Sequence, residues 1–291
     1  MICEFAPAKI NLFLHVGRRC DDGFHLLQSL VAFADVGDTI AVEPARTVSL
    51  VIEGPFARAL APEHDNIILR TVQAASAKSG IDRGVRIALT KNLPVAAGIG
   101  GGSADAAATL RCLQRLWGVT KQQTGELAES LGADVPVCLV SSPAWMEGRG
   151  ERVSPASVLP PVFLLLVNPG IAIQTATVFG ALGVRRGVEG TKPARWTTFD
   201  DFIAYLRTTS NDLEAPAHEI APSIASVLAA ISGCQGAELA RVSGSGPTCF
   251  GLFRQSQEAA AAAEVLNNRE PSWWIRATEL RPRGALTSQT N

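Results

Sequence analysis

The chain has 291 residues, of which 47% are hydrophobic and 18% are charged, a composition typical of a folded globular protein. Its net charge of −1 excludes the strongly basic surface that binding to nucleic acid or to an anionic membrane requires. The length suits one large or two medium domains, because single hydrophobic cores stop growing at roughly 250–300 residues.

Neither the cysteines nor the amino terminus indicates export or a metal centre. The six cysteines are scattered and never form a C-x-x-C pair, which favours reduced thiols in a cytoplasmic protein over a zinc or redox motif. The first residues lack a basic segment followed by an apolar one, so we expect no signal peptide. No stretch reaches the roughly 20 apolar residues that a membrane helix needs.

The amino-terminal half is predicted to alternate strands with helices. Residues 9–16 alternate between apolar and polar or aromatic side chains, which predicts a strand with one buried face. Residues 66–78 have helical periodicity, and Thr120 is expected to cap a helix that ends before Gly132. Further extended segments are predicted at residues 24–34, 38–43, 48–53 and 85–90.

A glycine-rich turn at residues 98–103 is the most informative stretch. Its four glycines let the backbone approach a ligand closely, and the following residues up to Gly118 are strong helix formers. Ser103 is placed near the expected N-cap of that helix. Glycines before a helix N-terminus favour phosphate binding, although such a turn can also only join a strand to a helix. The turn matches neither Walker A nor G-x-G-x-x-G, whose third glycine is replaced by Ser103.

A domain boundary is predicted at residues 150–160, which separates a domain 1–155 from a domain 156–291. This region begins in a polar stretch, contains Pro155 and Pro160, is followed by Pro161, and precedes a very apolar strand at residues 162–167. The remaining prediction is of helices at 175–182, 199–208, 215–232 and 256–267, strands at 237–243, 248–253 and 273–280, a polar loop at 185–195, and a disordered tail from about 282.

Several polar residues could perform chemistry, although each also has an ordinary structural explanation. Lys9 and Asn11 share one face of the first strand, where they could reach a cleft or simply border solvent. Asp134 follows a helix, so it could be a reactive carboxylate or a turn residue that bonds its own backbone. His25 could contact a planar base or pack, and residues 243–248 form a second glycine turn that could be a simple hairpin.

Three segments in order, residues 7–12, 94–107 and 242–247, resemble the three motifs of the GHMP small-molecule kinases. Within that superfamily, residues 8–16 and 22–29 are similar to the family of 4-diphosphocytidyl-2-C-methyl-D-erythritol kinases. Residues 132–137 and 211–214 also match the pattern of that family, and the resemblance extends over roughly residues 5–255.

The resemblance implies an α+β, two-domain GHMP kinase fold with the active site in the interdomain cleft. The amino-terminal domain would be similar to domain 2 of ribosomal protein S5, and the carboxyl-terminal domain would be ferredoxin-like. The implied reaction is ATP-dependent phosphorylation of the 2-hydroxyl of 4-diphosphocytidyl-2-C-methyl-D-erythritol, in the non-mevalonate isoprenoid pathway. We expect this small molecule as the substrate, no nucleic-acid or membrane partner, and a monomer or weak homodimer.

The resemblance also implies roles for individual residues of the substrate site. Asp134 would accept or orient the proton of the attacking hydroxyl, and Lys9 would offset negative charge on the transferring phosphoryl group. Asn11 would hold the methylerythritol portion. The cytosine would be held by His25, by Phe24 (tyrosine in many members), and by Thr175 and Phe179 from the second domain. Gly244, Ser245 and Gly246 would lie beside the diphosphate.

For ATP, the resemblance implies that the glycine turn wraps the phosphates and that Asn66 and Lys91 line the adenosine pocket. The other residues implied to bind ATP are Pro94 and, around the phosphates, Gly98, Gly100, Gly101, Gly102 and Ser103. Magnesium is expected to arrive with ATP and not in a preformed protein site. One departure is that Ala96 and Ala97 replace a more glycine-rich start of the turn.

Three other functions fit parts of this pattern. A mevalonate or homoserine kinase would share the fold, but its substrate has no base for Phe24 and His25 to hold. A catalytically inactive binding module would not need Lys9, Asp134 and Ser103 together. A dinucleotide-dependent oxidoreductase is disfavoured by Ser103 at the third glycine position.

Overall fold

The computed structural model describes residues 1–60, 66–81, 83–183, 192–193 and 195–281. Most of the predicted polar loop at 185–195, and the predicted tail from about 282, lie outside these residues. In the described ranges, the chain forms two mixed layers of helices and sheet, and none of its helices has the length and apolarity to cross a bilayer.

The first sheet is built from the amino-terminal half. Its order is β3-β4-β2-β5-β6, and β1 pairs antiparallel with β2. The strands are β1 (Ile2–Arg19), β2 (His25–Ala45), β3 (Ser49–Glu53), β4 (Gly84–Thr90), β5 (Ala144–Gly148) and β6 (Arg152–Pro155). The helices packed on this sheet are α1 (Ile67–Ser79), α2 (Gly101–Trp117), α3 (Lys121–Leu131) and α4 (Val135–Val140).

Local sequence signals account for the helix ends in this half. The Asn66 side chain accepts a hydrogen bond from the backbone N–H of Ile68 and so caps α1. Thr120 and Gln123 form a reciprocal capping box at the start of α3, as the prediction of a Thr120 cap requires. Gly118 is the C-cap of α2 in the left-handed conformation, so the helix ends where its predicted run of helix formers ends.

Two local predictions for this half are wrong. The strand over residues 9–16 is buried on both faces, because β1 packs against α2 on one side and against the carboxyl-terminal half on the other. The separate segments 24–34 and 38–43 are parts of the single 21-residue strand β2. The polar residues before Arg152 form the tight connection of the β5–β6 hairpin.

The second sheet is built from the carboxyl-terminal half, in the antiparallel order β10-β7-β9-β8. Its strands are β7 (Phe163–Asn168), β8 (Leu239–Val242), β9 (Cys249–Phe253) and β10 (Trp274–Glu279). Its helices are α5 (Thr175–Gly180), α6 (Phe199–Arg207), α7 (Glu214–Ile220), α8 (Ser223–Ser232) and α9 (Ser256–Arg269). The helix predicted over 215–232 is interrupted, because Pro222 separates α7 from α8.

The two sheets share a hydrophobic core. Ile10 and Leu12 of β1 lie in the same buried cluster as Leu164 of β7 and Phe250 of β9. The chain passes from the first sheet to the second between Pro155 and Phe163. Because the two sheets share a core, the division of the chain into two domains at residue 155 remains a prediction. The shared core fixes β1 between the halves, which brings the polar residues of β1 to the site described next.

Candidate active site

A cavity of about 1120 Å³ is lined by residues from both halves of the chain. Its wall includes both glycine turns, the polar residues of β1, and the start of β2. Every residue that the sequence predicted for the site borders this cavity except Gly246. A Cβ added to Gly246 would meet Val242 Cγ1 at 3.1 Å and Ile224 Cδ1 at 3.4 Å, so this glycine packs against apolar side chains and does not face the cavity.

An ion pair joins the two residues predicted to be catalytic. The Lys9 ammonium donates to Asp134 Oδ2 at 2.7 Å, with the lysine side chain 5% exposed and the aspartate side chain 32% exposed. The backbone N–H of Lys9 donates to the carbonyl of Ile99 at 2.9 Å, which ties β1 to the glycine turn. Asp134 precedes α4, yet in the described residues its carboxylate caps none of the N–H groups of that helix. The carboxylate therefore faces the cavity and not its own backbone.

The glycine turn leads directly into the N-terminus of α2. Gly98 and Gly100 adopt φ angles of 73° and 63°, in the left-handed region that other residues rarely adopt. The helix begins at Gly101 with Gly100 as N-cap, so Ser103 is the third helical residue and lies near the N-cap as predicted, although no side chain caps this helix. The first N–H groups of α2 have no partner within the helix, and together with the helix dipole they suit a bound anion.

The second glycine turn packs directly against the first. A Cβ added to Gly98 would lie 2.4 Å from the carbonyl oxygen of Ser243 and 2.6 Å from that of Gly246. The Ser243 hydroxyl donates to the Gly98 carbonyl at 3.1 Å and accepts from the backbone N–H of Asn11 at 3.3 Å. The two turns and β1 are therefore held in one rigid arrangement, which the sequence could suggest only as a possibility.

A buried ionic triad lies beneath the first turn of α2. The Lys91 ammonium donates to Asp38 Oδ2 at 2.5 Å and to Asp105 Oδ2 at 2.7 Å. A Cβ added to Gly101 would lie 3.2 Å from the Lys91 ammonium, so the triad supports the helix start directly. Lys91 borders the cavity as predicted for an adenosine contact, but its ammonium is bound by these two carboxylates.

The charges of the triad shift one another's pKa values. Burial lowers the pKa of Lys91, but the two carboxylates outweigh burial and hold this pKa above its ordinary value. Burial raises the pKa of Asp105 to about 7; the Asp38 charge adds to this effect, and the Lys91 ammonium opposes it. Two carboxylates thus share one ammonium, which leaves the cluster with a net negative charge when both are ionised.

Aromatic rings gather at the other end of the cavity. The rings of His25 and Phe179 lie with centroids 5.4 Å apart, and the Phe24 ring is 57% exposed. The guanidinium of Arg149, which the sequence reading did not select, lies 6.0 Å from the centre of the Phe24 ring. Burial, and to a lesser extent the charge of Arg19, lowers the pKa of His25. A neutral imidazole presents one donor and one acceptor, as recognition of a base edge requires.

Polar groups lie between these two ends of the cavity. Asn11 is buried; its amide donates to the Ser29 hydroxyl at 2.8 Å, while its Oδ1 has no hydrogen-bond partner among the described residues. That oxygen lies near the second turn, since a Cβ added to Gly244 would be 3.2 Å from it. The hydroxyls of Thr175 and Ser245 lie 2.9 Å apart. An unpartnered buried acceptor at this place suits a hydroxyl donor on a ligand.

The sequence reading missed residues that hold the site in place. Asn211 donates to the carbonyls of Gly244 at 2.7 Å and Val242 at 2.9 Å, which fixes the second glycine turn. Its position in the matching segment 211–214 was a usable signal. Asp105 also lies in a matching segment, 94–107, whereas Asp38 carried no such signal, because its pairing with Lys91 depends on how α2 lies across β2. In the described residues, no group of three or more His, Cys, Asp or Glu side chains could hold a metal ion.

The chain matches two family models, GHMP kinases N terminal domain over residues 66–142 and GHMP kinases C terminal over residues 196–271. It is 50% identical over 275 residues to the 4-diphosphocytidyl-2-C-methyl-D-erythritol kinase of Cereibacter sphaeroides (strain ATCC 17025 / ATH 2.4.3), with 93% of this chain and 96% of the relative covered. It is 46% identical to the kinase of the same name of Paramagnetospirillum magneticum (strain ATCC 700264 / AMB-1), with 94% and 97% covered.

Solved structures agree with this assignment. A crystal structure of 4-(cytidine 5'-diphospho)-2C-methyl-D-erythritol kinase superposes with a TM-score of 0.75 at 33% identity, covering 96% of this chain and 99% of that chain. The homoserine kinase of Cytophaga hutchinsonii superposes with a TM-score of 0.71 at 18% identity, covering 97% and 96%, a likeness that concerns the fold alone. The predicted fold class is therefore confirmed, and the chain belongs to the GHMP kinases and, among them, to the family of 4-diphosphocytidyl-2-C-methyl-D-erythritol kinases.

Proposed function

We propose that the protein transfers the γ-phosphoryl group of ATP to the 2-hydroxyl of 4-diphosphocytidyl-2-C-methyl-D-erythritol, in the non-mevalonate isoprenoid pathway. The observation that carries this proposal is the Lys9–Asp134 ion pair on the wall of a cavity that also contains the α2 N-terminus and the His25 ring. The names of curated relatives at 46–50% identity support the choice of substrate.

The ATP phosphates would bind at the start of α2. The N–H groups of Gly101, Gly102 and Ser103 suit phosphate oxygens, and Gly98 and Gly100 let the backbone approach them closely. Asn66 and Pro94 border the same part of the cavity and would line the nucleoside side. The Ser103 hydroxyl and the Asp134 carboxylate are hard oxygen donors that fit magnesium, which would supply positive charge to the phosphates when it arrives with ATP.

The cytidylyl substrate would bind with its base at the aromatic end. The exposed Phe24 ring and the Phe179 ring offer stacking faces, and the neutral His25 imidazole offers hydrogen bonds to the base edge. The unpartnered Oδ1 of Asn11 would accept a hydroxyl of the methylerythritol portion. The second glycine turn would leave room for the diphosphate, because Gly244 has no side chain. Gly244 also lies against Gly98, which places this turn beside the first one.

The chemical step follows from the position of the ion pair. The substrate hydroxyl oxygen forms a bond to the γ-phosphorus, the bond from that phosphorus to the bridging oxygen breaks, and ADP leaves. Asp134 takes the hydroxyl proton, and the Lys9 ammonium, which is already aligned on Asp134, offsets negative charge on the transferring group. Phosphoryl transfer depends mainly on such positioning and charge stabilisation, so a rigid pair meets its requirements.

The experiment is to incubate the purified full-length chain with ATP, magnesium and one alcohol at a time, and to measure ADP and the phosphorylated product. We expect turnover with the cytidylyl substrate and none with mevalonate or homoserine. Turnover with mevalonate or homoserine instead would overturn the substrate assignment. ATP binding without any turnover would support an inactive binding module, and binding of NAD(P)H in a fluorescence titration would support an oxidoreductase.

We also propose that the protein works in the cytoplasm as a monomer or weak homodimer, with no nucleic-acid or membrane partner. The six free cysteines support a reducing compartment, and three of them, at 112, 138 and 249, are buried. The near-zero net charge supports the absence of a polyanionic partner. Sedimentation of the purified chain would test the oligomeric state.

A further inference from the structure

Arg111 joins three elements of the amino-terminal half through one guanidinium group. Its Nε donates to the Glu4 carboxylate at 2.8 Å, and its Nη2 donates to the backbone carbonyl of Phe5 at 2.8 Å, both on β1. Its Nη1 donates to the backbone carbonyl of Cys138 on α4 at 3.2 Å. Arg111 itself belongs to α2, and its side chain is only 11% exposed. Every nitrogen of the guanidinium thus binds β1 or α4.

These three elements carry the groups that the proposed phosphoryl transfer uses. Lys9 lies on β1, α2 begins at the first glycine turn, and α4 begins directly after Asp134. Arg111 does not border the cavity, and it lies about 15 Å along the axis of α2 from Gly101. It can therefore affect the reaction only through the groups that it holds in place.

The short helix α4 needs a directional contact to fix its position. It has six residues, and a helix of that length is not stable by itself in water. Its side chains Val135 and Val137 are buried in the same core cluster as Leu110 of α2. Apolar contact is not directional, so it holds α4 against α2 without fixing how far the helix slides or rotates. A planar guanidinium has fixed donor directions, and a cation near a helix C-terminus is favourable.

The position of α4 determines the position of the Asp134 carboxylate. The backbone N–H of Cys138 donates to the carbonyl of Asp134 at 3.1 Å, so the residue that Arg111 binds lies one helical turn from Asp134. The Asp134 carboxylate accepts from the Lys9 ammonium at 2.7 Å. A displacement of α4 relative to β1 would therefore change the geometry of this ion pair directly.

We propose that Arg111 is a positioning residue of the phosphoryl-transfer site, which aligns α4 with β1 so that the Asp134 carboxylate meets the Lys9 ammonium. This inference rests on the proposed function, in which that ion pair acts on the substrate hydroxyl and the transferring phosphoryl group. Without the guanidinium, α4 and β1 lose their common support, and Asp134 is displaced from the reacting hydroxyl. A displacement of about 1 Å between reacting groups costs about 10²-fold in rate.

Arg115 provides the matched control. It lies one turn later on α2 and donates to the same carboxylate, from Nη1 to Glu4 Oε1 at 3.1 Å. Its side chain is 54% exposed, and within the described ranges it bonds to neither the backbone of β1 nor α4. Arg111→Gln and Arg115→Gln therefore both remove a cation from Glu4, but only Arg111→Gln removes the bonds to Phe5 and Cys138.

Steady-state kinetics of the full-length variants, measured well below their unfolding temperatures, test the inference. Arg111→Gln should lower kcat about 10- to 10²-fold, because the reacting groups are displaced. The KM values for Mg-ATP and the cytidylyl substrate should stay within about twofold, since the proposed binding residues are retained. Arg115→Gln should keep kcat within about twofold of the wild type. Equal kcat values in the two variants would overturn the inference.

A double-mutant cycle with Asp134→Asn separates positioning from a general loss of structure. Once the carboxylate is replaced, its alignment no longer affects proton transfer, so adding Arg111→Gln should lower kcat by less than about twofold. The same loss in both backgrounds would show that Arg111 acts independently of Asp134 and would refute the proposal. If Arg111→Gln does not fold, Arg111→Lys carries the same tests. It keeps a cation beside Glu4 but lacks the planar fork, so its kcat should still fall at least about fivefold, and a wild-type kcat would refute the proposal.

Hydrogen exchange gives a measurement that needs no turnover. The backbone N–H groups of Cys138 and Ser141 are bonded within α4. They should exchange at least about tenfold faster in Arg111→Gln than in the wild type or in Arg115→Gln. Unchanged exchange in α4 would contradict its anchoring by Arg111. Failure of the wild type to phosphorylate the cytidylyl substrate, mevalonate or homoserine would overturn the proposed function instead, and the exchange result would still decide whether Arg111 anchors α4.

Discussion

The contact between the two glycine turns gives a sharp prediction, because a second glycine with nearly the same φ angle serves as its control. Gly98 has a φ of 73° and Gly80 has a φ of 68°. A Cβ at Gly98 would meet three backbone atoms of Ser243 and Gly246 within 2.7 Å, whereas a Cβ at Gly80 would meet no described atom within 4 Å. Gly98→Ala and Gly80→Ala therefore share the same backbone strain and differ in the steric clash.

The two costs can be separated. An alanine in the left-handed region costs about 1 kcal/mol at either position. At Gly98 the added methyl would lie 2.4 Å from a carbonyl oxygen, whereas ordinary contact begins near 3.4 Å, so the turns must move apart by about 1 Å. Overpacking of this kind adds about 1–3 kcal/mol. A displacement of about 1 Å between reacting groups also costs about 10²-fold in rate.

Chemical denaturation and steady-state kinetics of both variants test this reasoning. Gly80→Ala should lose about 1 kcal/mol of unfolding free energy and keep its kcat/KM. Gly98→Ala should lose about 2–4 kcal/mol and about 10²-fold in kcat/KM. If Gly98→Ala were as stable and as active as Gly80→Ala, the turns would not be in contact as described, and the rigid arrangement of the site would be wrong.

Four further predictions concern single residues of the site. Asp134→Asn should lower kcat at least about 10²-fold, and unchanged turnover would contradict its role as proton acceptor. Burial and the charge of Arg19 lower the pKa of His25, so the KM for the cytidylyl substrate should be constant above pH 6.5 and rise in acid. His25→Gln should remove this rise. A KM that rises equally in that variant would contradict the role of His25 in substrate binding. Ala96 has a φ of 51°, in the left-handed region where an alanine is strained, so Ala96→Gly should raise the unfolding free energy by up to about 1 kcal/mol. A loss of stability would show that this backbone strain is absent. Burial raises the pKa of Asp105 from 3.8 to about 7, so ionisation of Asp105 destabilises the folded state progressively across that pH range. The unfolding free energy of Asp105→Asn relative to the wild type should therefore increase by about 2 kcal/mol from pH 5.5 to pH 8.5. A free-energy difference that is independent of pH would refute the raised pKa.

Local sequence was sufficient for features that depend on neighbouring residues. Asn66 and Thr120 cap helices, and Gly118 ends one, because these residues bond or bend the backbone within three positions of themselves. The two glycine turns and the Lys9 segment also resemble the motifs of the GHMP kinases, and this resemblance indicated the superfamily. The merged strand β2 was missed, since the exposed Asp35 in the middle of the strand separates two apolar runs that read as two short strands.

The tertiary structure decided which distant groups meet. Lys9 and Asp134 are 125 residues apart, and their ion pair forms only because β1 lies against the elements that position α4. The triad of Lys91, Asp38 and Asp105 likewise depends on how α2 lies across the first sheet, which no local pattern encodes. The sequence alone determined the kinds of reactive group and the helix ends, because those follow from short-range bonding. Packing of both sheets around β1 determined the geometry and the shared charges of the site.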